Sequence, residues 1–194
     1  MSWTTTRRTF ESGFTLVETL VSALLLTVAA AGLAQLTMLA ADASAAARAR
    51  TVTALLAAQK MEQLRSLLWA RDADGGILSD TYTDVSREPF SASGNGLSVT
   101  TAGTLERNID GYVDYLDAAG AWIGGGSEPP QGAVYLRRWA VLALEQDPQD
   151  TRVLIVLATT IKEERSIAGR SGRRPRLPED TILVSLRTRQ LVTP

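Results

Sequence analysis

Glu18 is the only formally charged residue from Phe14 to Ala41, a run of 28 residues. A carboxylate in so apolar a stretch does one kind of chemistry well: it pairs with a cation where little else can solvate it. The sequence offers a source for that cation. Cleavage between Gly13 and Phe14 would free an α-amino group on Phe14, one helical turn from Glu18. The same new amine on a neighbouring copy would then neutralise the carboxylate. Two other groups of residues invite a chemical reading. Arg165, Arg170, Arg173, Arg174 and Arg176 place five guanidinium groups within 12 residues, a pattern suited to phosphate contact. Asp110, Asp114 and Asp117 form the densest acidic set.

Much chemistry is excluded at once. The chain has no cysteine and no histidine, so a thiolate nucleophile, a Cys/His zinc site and an imidazole base are ruled out. No nucleophile elbow, phosphate-binding loop or metal-binding helix motif occurs. Asp114 and Asp117 have an odd separation and would not share a face of a strand; acids beside turns are usually turn formers. The arginine run lacks interleaved aromatic residues for base stacking, which favours a solvated or partner-facing loop over nucleic acid. Asp72-Ala73-Asp74-Gly75-Gly76 has the look of part of a calcium loop, but no downstream Glu completes the ligand set, and a glycine-mediated helix stop is the expectation. The reading is therefore of a protein that is not an enzyme and needs no cofactor or metal. With 20 Lys+Arg against 21 Asp+Glu, bulk charge argues neither for nor against a nucleic-acid partner.

The element that carries Glu18 has the composition of a membrane span. Phe14, eight leucines and three valines contribute about −4 to −7 kcal/mol on an insertion scale. One acidic residue at the centre would cost about 2.5–3.5 kcal/mol, and Glu18 sits near the end, so insertion wins. Arg7 and Arg8 bias the leader to the cytoplasmic side. Three readings of the segment compete: a signal peptide cut after Ala43-Ser44-Ala45, a plain anchor with an incidental Glu, and a helix processed after Gly13. The apolar region is about twice the usual 7–15 residues of a signal peptide, which disfavours the first.

Gly13-Phe14-Thr15-Leu16-Val17-Glu18 ahead of a long apolar helix resembles the class III leader of type IV pilins and type II secretion pseudopilins. The strong likeness covers residues 7–68. It implies cleavage between Gly13 and Phe14 by a membrane prepilin peptidase and N-methylation of Phe14. It also implies a role for Glu18 as the assembly glutamate that pairs with a neighbouring subunit. Glu11 and Ser12 depart from the pattern where a basic residue often precedes the glycine, and the helix lacks the proline of many major pilins. The partners that follow are other pilins or pseudopilins, the inner-membrane assembly platform and membrane lipid. The implied location is the inner membrane, single-pass, with a periplasmic head that joins a pilus or pseudopilus.

Residues 42–68 continue the helix in amphipathic form. Ala57, Met61, Leu64 and Leu68 make one stripe, widened by Val52 and Leu56. Arg48, Arg50, Gln59, Lys60, Glu62, Gln63 and Arg65 are expected on the other side. The small residues Ala29–Ala31, Gly32 and Ala34 suit close approach of helices as well as a bland span.

The head is expected to begin with a loop over 73–96. Strands are expected over Leu97–Thr101, Gly111–Leu116, Val134–Leu144, Arg152–Lys162 and Ile182–Arg189, with turns at 117–120 and 146–150. Arg138 interrupts the apolar alternation of its strand, which suggests an edge or a bend. The division is leader 1–13, membrane half 14–41, amphipathic half 42–71 and head 72–194. The fold class is α+β: a pilin-like lollipop, its long N-terminal helix packed on a C-terminal antiparallel β-sheet. The run Gly132–Ala140, GAVYLRRWA, is most similar to PilV-type minor pilins. A minor pseudopilin of a type II secretion system is the second reading, and a DNA-binding minor pilin in DNA uptake the third.

Overall fold

The computed structural model describes residues 15–80, 82, 96–167 and 174–191. The chain divides into two compact units, Met1–Ala45 and Ala46–Pro194. Helix α1, Leu16–Ser66, runs through both. Its 51 residues span about 77 Å at 1.5 Å per residue.

In the first unit every described side chain of α1 is exposed, including every large apolar one from Leu16 to Leu39. The segment is long and apolar enough to cross a membrane. Water opposes leaving so many leucines bare, and lipid removes that objection.

In the second unit α1 buries Thr53, Leu56, Ala57, Lys60, Met61 and Leu64, a stripe at helical spacing. Two expectations change here. Lys60 belongs to the buried face, because it stands four residues from both Leu56 and Leu64; spacing decides the face, and the residue type then needs a partner. Leu68 lies past the helix, which ends at Ser66, and is 44% exposed. The segment expected as helix to residue 71 already holds strand β1, Trp69–Arg71. Residues Asp72–Gly76 thus close a hairpin rather than a helix. Gly75 takes φ +82°, and its N–H donates to the Asp72 carbonyl.

The main sheet is antiparallel throughout, in the order β4-β3-β5-β6-β7. Its strands are β3 (Val113–Leu116), β4 (Trp122–Gly124), β5 (Tyr135–Leu144), β6 (Asp147–Thr160) and β7 (Thr181–Thr188). A smaller sheet, β2-β1-β8, joins Ile77–Ser79 and Gln190–Leu191 to β1; its β1–β8 pair is parallel. The head half of α1 packs on the main sheet, with Ala57, Met61 and Leu64 against Trp139, Val141 and Val156. The fold is α+β, a long helix on an antiparallel sheet.

Several strands were legible and some were not. The β5–β6 hairpin is present, but its turn is Glu145-Gln146, and Asp147–Asp150 lies within β6. Pro148 is tolerated there because the β5–β6 register breaks between Ala143 and Leu144. Leu97–Thr101 is not a strand. It runs beside β5 past the end of β3, where Thr100 N–H donates to the Val141 carbonyl at 2.9 Å. The run expected as strand to Lys162 ends at Thr160, which caps helix α2, Ile161–Ser166, by accepting from the Glu163 N–H. Arg138 is central rather than at an edge: β5 has β3 on one side and β6 on the other.

Candidate functional site

The entry of α1 carries the motif. Thr15 Oγ1 accepts from the Glu18 N–H at 3.2 Å, so Thr15 is the N-cap and Glu18 stands at the third helical position. Thr-x-x-Glu is the capping-box pattern, and the helix N-terminus favours a negative side chain. The Thr15 cap and the helix N-terminus give an acid at this position a local reason apart from pairing, and the spacing Thr15 to Glu18 was the available signal. Glu18 is exposed, as is the whole span behind it. Gly13 and Phe14 lie outside the described residues.

The described members of the arginine run do not form one basic surface. Arg174 is tied down: its guanidinium donates to both oxygens of Asp180, at 2.6 and 2.9 Å, and to Glu164 at 2.9 Å. Glu164 in turn accepts from Arg138 at 2.6 Å. Burial pushes the Asp180 carboxyl up, but the Arg174 hydrogen bonds and the Leu177 N–H outweigh it and hold the group below its ordinary value. Only Arg165 and Arg176 of the described members are exposed. Arg170 and Arg173 lie outside the described residues. The loop beyond Arg176 is fastened to α1, where Arg50 Nε donates to the Pro178 carbonyl and Thr53 Oγ1 to that of Glu179.

The acidic set separates as well. Asp117 is a turn former: its Oδ1 accepts from the N–H groups of Ala119 and Ala121, both at 2.9 Å, and Gly120 follows at φ +80°. Asp114 is different. It is fully buried, and one of its oxygens accepts both Lys60 Nζ at 2.8 Å and Arg137 Nη2 at 2.7 Å. The other oxygen accepts from Trp122 Nε1 at 3.1 Å. Lys60 also stands 3.9 Å from the centre of the Trp139 ring, a cation–π contact. This cluster pins α1 to β3 and β5. No sequence expectation joined these residues. The signals were Lys60 on the apolar stripe of α1 and Arg137 between Tyr135 and Trp139 on one face of β5. Asp114 sits directly across from Arg137 in the ladder.

A cavity of about 200 Å³ opens between β3, β5 and α2, lined by Tyr115, Pro129, Leu136 and Ile161 with Asn108, Glu164 and Arg165 at its polar side. That is below the roughly 300–1,000 Å³ of small-molecule sites. Burial drives the Tyr115 phenol up to about 12 against the pull of Arg138. Its hydroxyl donates to the Gly126 carbonyl at 3.1 Å. Comparison with known proteins finds no matching family model, no matching curated protein and no matching solved structure.

Proposed function

We propose that the chain is a minor pilin: a structural subunit stored in the inner membrane by residues 14–41, trimmed after Gly13 by a prepilin peptidase, and then built into a type IV pilus. Its work is assembly rather than catalysis. The observation that carries the reading is Glu18 as the sole charge of the exposed apolar half of α1, up to Ala41, in a chain where the same helix goes on to pack against an antiparallel head sheet. The carboxylate gives a register: a copy enters the filament where the methylated amine of Phe14 on a neighbour meets Glu18. The head then sets what the filament's tip or surface touches. A pseudopilus of a type II secretion system would use the same helix in the same way.

Mass spectrometry of the mature chain from membranes tests processing. N-methylated Phe14 as first residue is expected; a mature chain starting at Ala46 would return the segment to the role of signal peptide. Glu18 is tested by two substitutions read in the sheared filament fraction. Glu18→Gln keeps a side chain suited to the capping box but removes the charge, whereas Glu18→Ala removes both. Both variants should insert, and both should enter filaments poorly. Normal incorporation of Glu18→Gln would reduce Glu18 to a capping residue. A DNA role for the head has less behind it, since Arg174 is committed to Asp180 and Glu164.

A further inference from the structure

We infer that β7 is a self-pairing edge, joining antiparallel to β7 of a second copy with Val184 at the centre of the register. β7 is the last strand of the main sheet, and among the described residues no strand lies beyond it. Its eight residues alternate in burial. Ile182, Val184 and Leu186 are 41%, 63% and 58% exposed and lie on the face opposite α1, since they pair with Leu157, Ile155 and Val153 while Leu183 packs into the core. Leu142 of β5, also exposed, extends this face across β6. An edge strand left open usually carries a charge, outward or inward, a proline or a bulge. From Thr181 to Ser185 β7 has none, and its one charged residue, Arg187, points to the other face.

The backbone is in phase for pairing. Arg189 N–H donates to the Asp150 carbonyl beside the Thr151–Thr188 pair. Odd-numbered residues of β7 therefore bond to β6, and residues 182, 184 and 186 turn their N–H and C=O to the open edge.

The occupant that fits is the same strand reversed. Centred on Val184, the register sets Ile182 against Leu186 and Val184 against itself on one face, and Leu183 against Ser185 and Thr181 against Arg187 on the other. Apolar meets apolar on the first face, the pairs on the second are mixed, and on neither do like charges oppose. The exposed apolar side chains offer about 300 Å² per copy, about the size of the largest apolar patch on a typical monomer, which is often functional. A stable interface buries about 800 Å² per partner, so the pairing is weak and reversible. It stands apart from the filament reading and does not rest on it.

The chain has no cysteine, so each single replacement carries one thiol. Facing residues of an antiparallel pair lie about 5.5 Å apart between Cα atoms, within disulfide range. Full-length V184C in detergent micelles, oxidised with copper phenanthroline, should form a linked dimer at least about tenfold faster than two controls. One is I77C, 61% exposed on β2. The other is I182C, whose copies would sit about 13 Å apart. Adding Leu186→Lys to V184C should slow linking about tenfold. No linked V184C dimer, linking at the rate of either control, or indifference to Leu186→Lys overturns the pairing.

Discussion

Asp114→Asn removes the one negative charge from the cluster that fastens α1 to the sheet. Lys60 Nζ and Arg137 Nη2 lie 2.8 and 2.7 Å from the same oxygen, so the two cations are no more than about 5.5 Å apart. At an effective dielectric near 20, each attraction is worth about 6 kcal/mol and the cation–cation repulsion at least about 3 kcal/mol. Asparagine keeps the shape but has one acceptor oxygen, so its NH2 must face either the two cations or the Trp122 N–H; both charge–charge attractions are lost while the repulsion stays. The two attractions come to about 12 kcal/mol, most of which relief of the carboxylate's own desolvation offsets; removing one partner of a buried pair typically leaves a net loss of about 3–5 kcal/mol. The assay is urea unfolding of the full chain in detergent, followed by the fluorescence of Trp69, Trp122 and Trp139. With a slope near 2 kcal/mol/M, the midpoint should fall by about 1.5–2.5 M. Lys60→Met leaves the Asp114–Arg137–Trp122 bonds in place and should cost clearly less. In the double variant the losses should fail to add by at least about 1 kcal/mol, because removing Lys60 relieves the repulsion that Asp114→Asn exposes. A midpoint shift below about 0.5 M for Asp114→Asn, or simple additivity, would refute the electrostatic account of this joint.

Three further outcomes can be checked. Tyr115 should ionise near pH 12 while the chain is folded, about two units later than exposed tyrosines, as read by absorbance at 295 nm; Tyr115→Phe should remove that late step. Because its folded value is raised, the stability Tyr115 contributes is complete below about pH 10 and lost as pH climbs through 12. Asp180 has the opposite sign: its folded value is lowered, so its contribution is complete above the ordinary aspartate value near 3.9 and lost as pH falls further. The stability gap between the natural chain and Asp180→Asn should accordingly narrow from pH 5 to pH 2; a constant gap would mean that Asp180 acts by shape alone. Leu64→Ala, at a fully buried position of α1, should cost about 2–5 kcal/mol in the same urea assay.

What the sequence made legible follows from periodicity and capping. The β-branched run in β6, the alternation in β7 and the Ala57–Met61–Leu64 spacing are local patterns, and each maps to the element it implied. Pairing across the fold is not local. Arg138 reads as a fault in an alternating strand until Glu164 and Asn108, 26 and 30 residues away, are placed against it. Lys60 reads as a solvated lysine until β3 brings Asp114 beneath it. Helix α2 was hidden because Thr160 ends a β-branched run and caps a helix in the same step. The short strands β1, β2, β4 and β8 have two or three residues each, too few for a period to show.

Glu18 remains the residue on which most turns, and its local geometry sharpens the question rather than closing it. The Thr15 cap explains why a helix starts here, and a helix start explains a preference for Asp, Glu or Gln within the first turn. It does not explain a carboxylate ahead of 23 uncharged residues. Gln would complete a capping box as well, at far smaller cost in lipid. The dipole at a helix N-terminus favours an anion by about 0.3–1 kcal/mol, whereas an acidic side chain at the bilayer centre costs about 2.5–3.5. Near the end of the span the cost is smaller, but the cap alone gives no reason to prefer charge over none. A cation fixed beside the carboxylate supplies that reason, and an amine freed at Phe14 of an adjoining copy is one this sequence can make. Glu18→Gln separates the two accounts because it changes the charge and spares the cap.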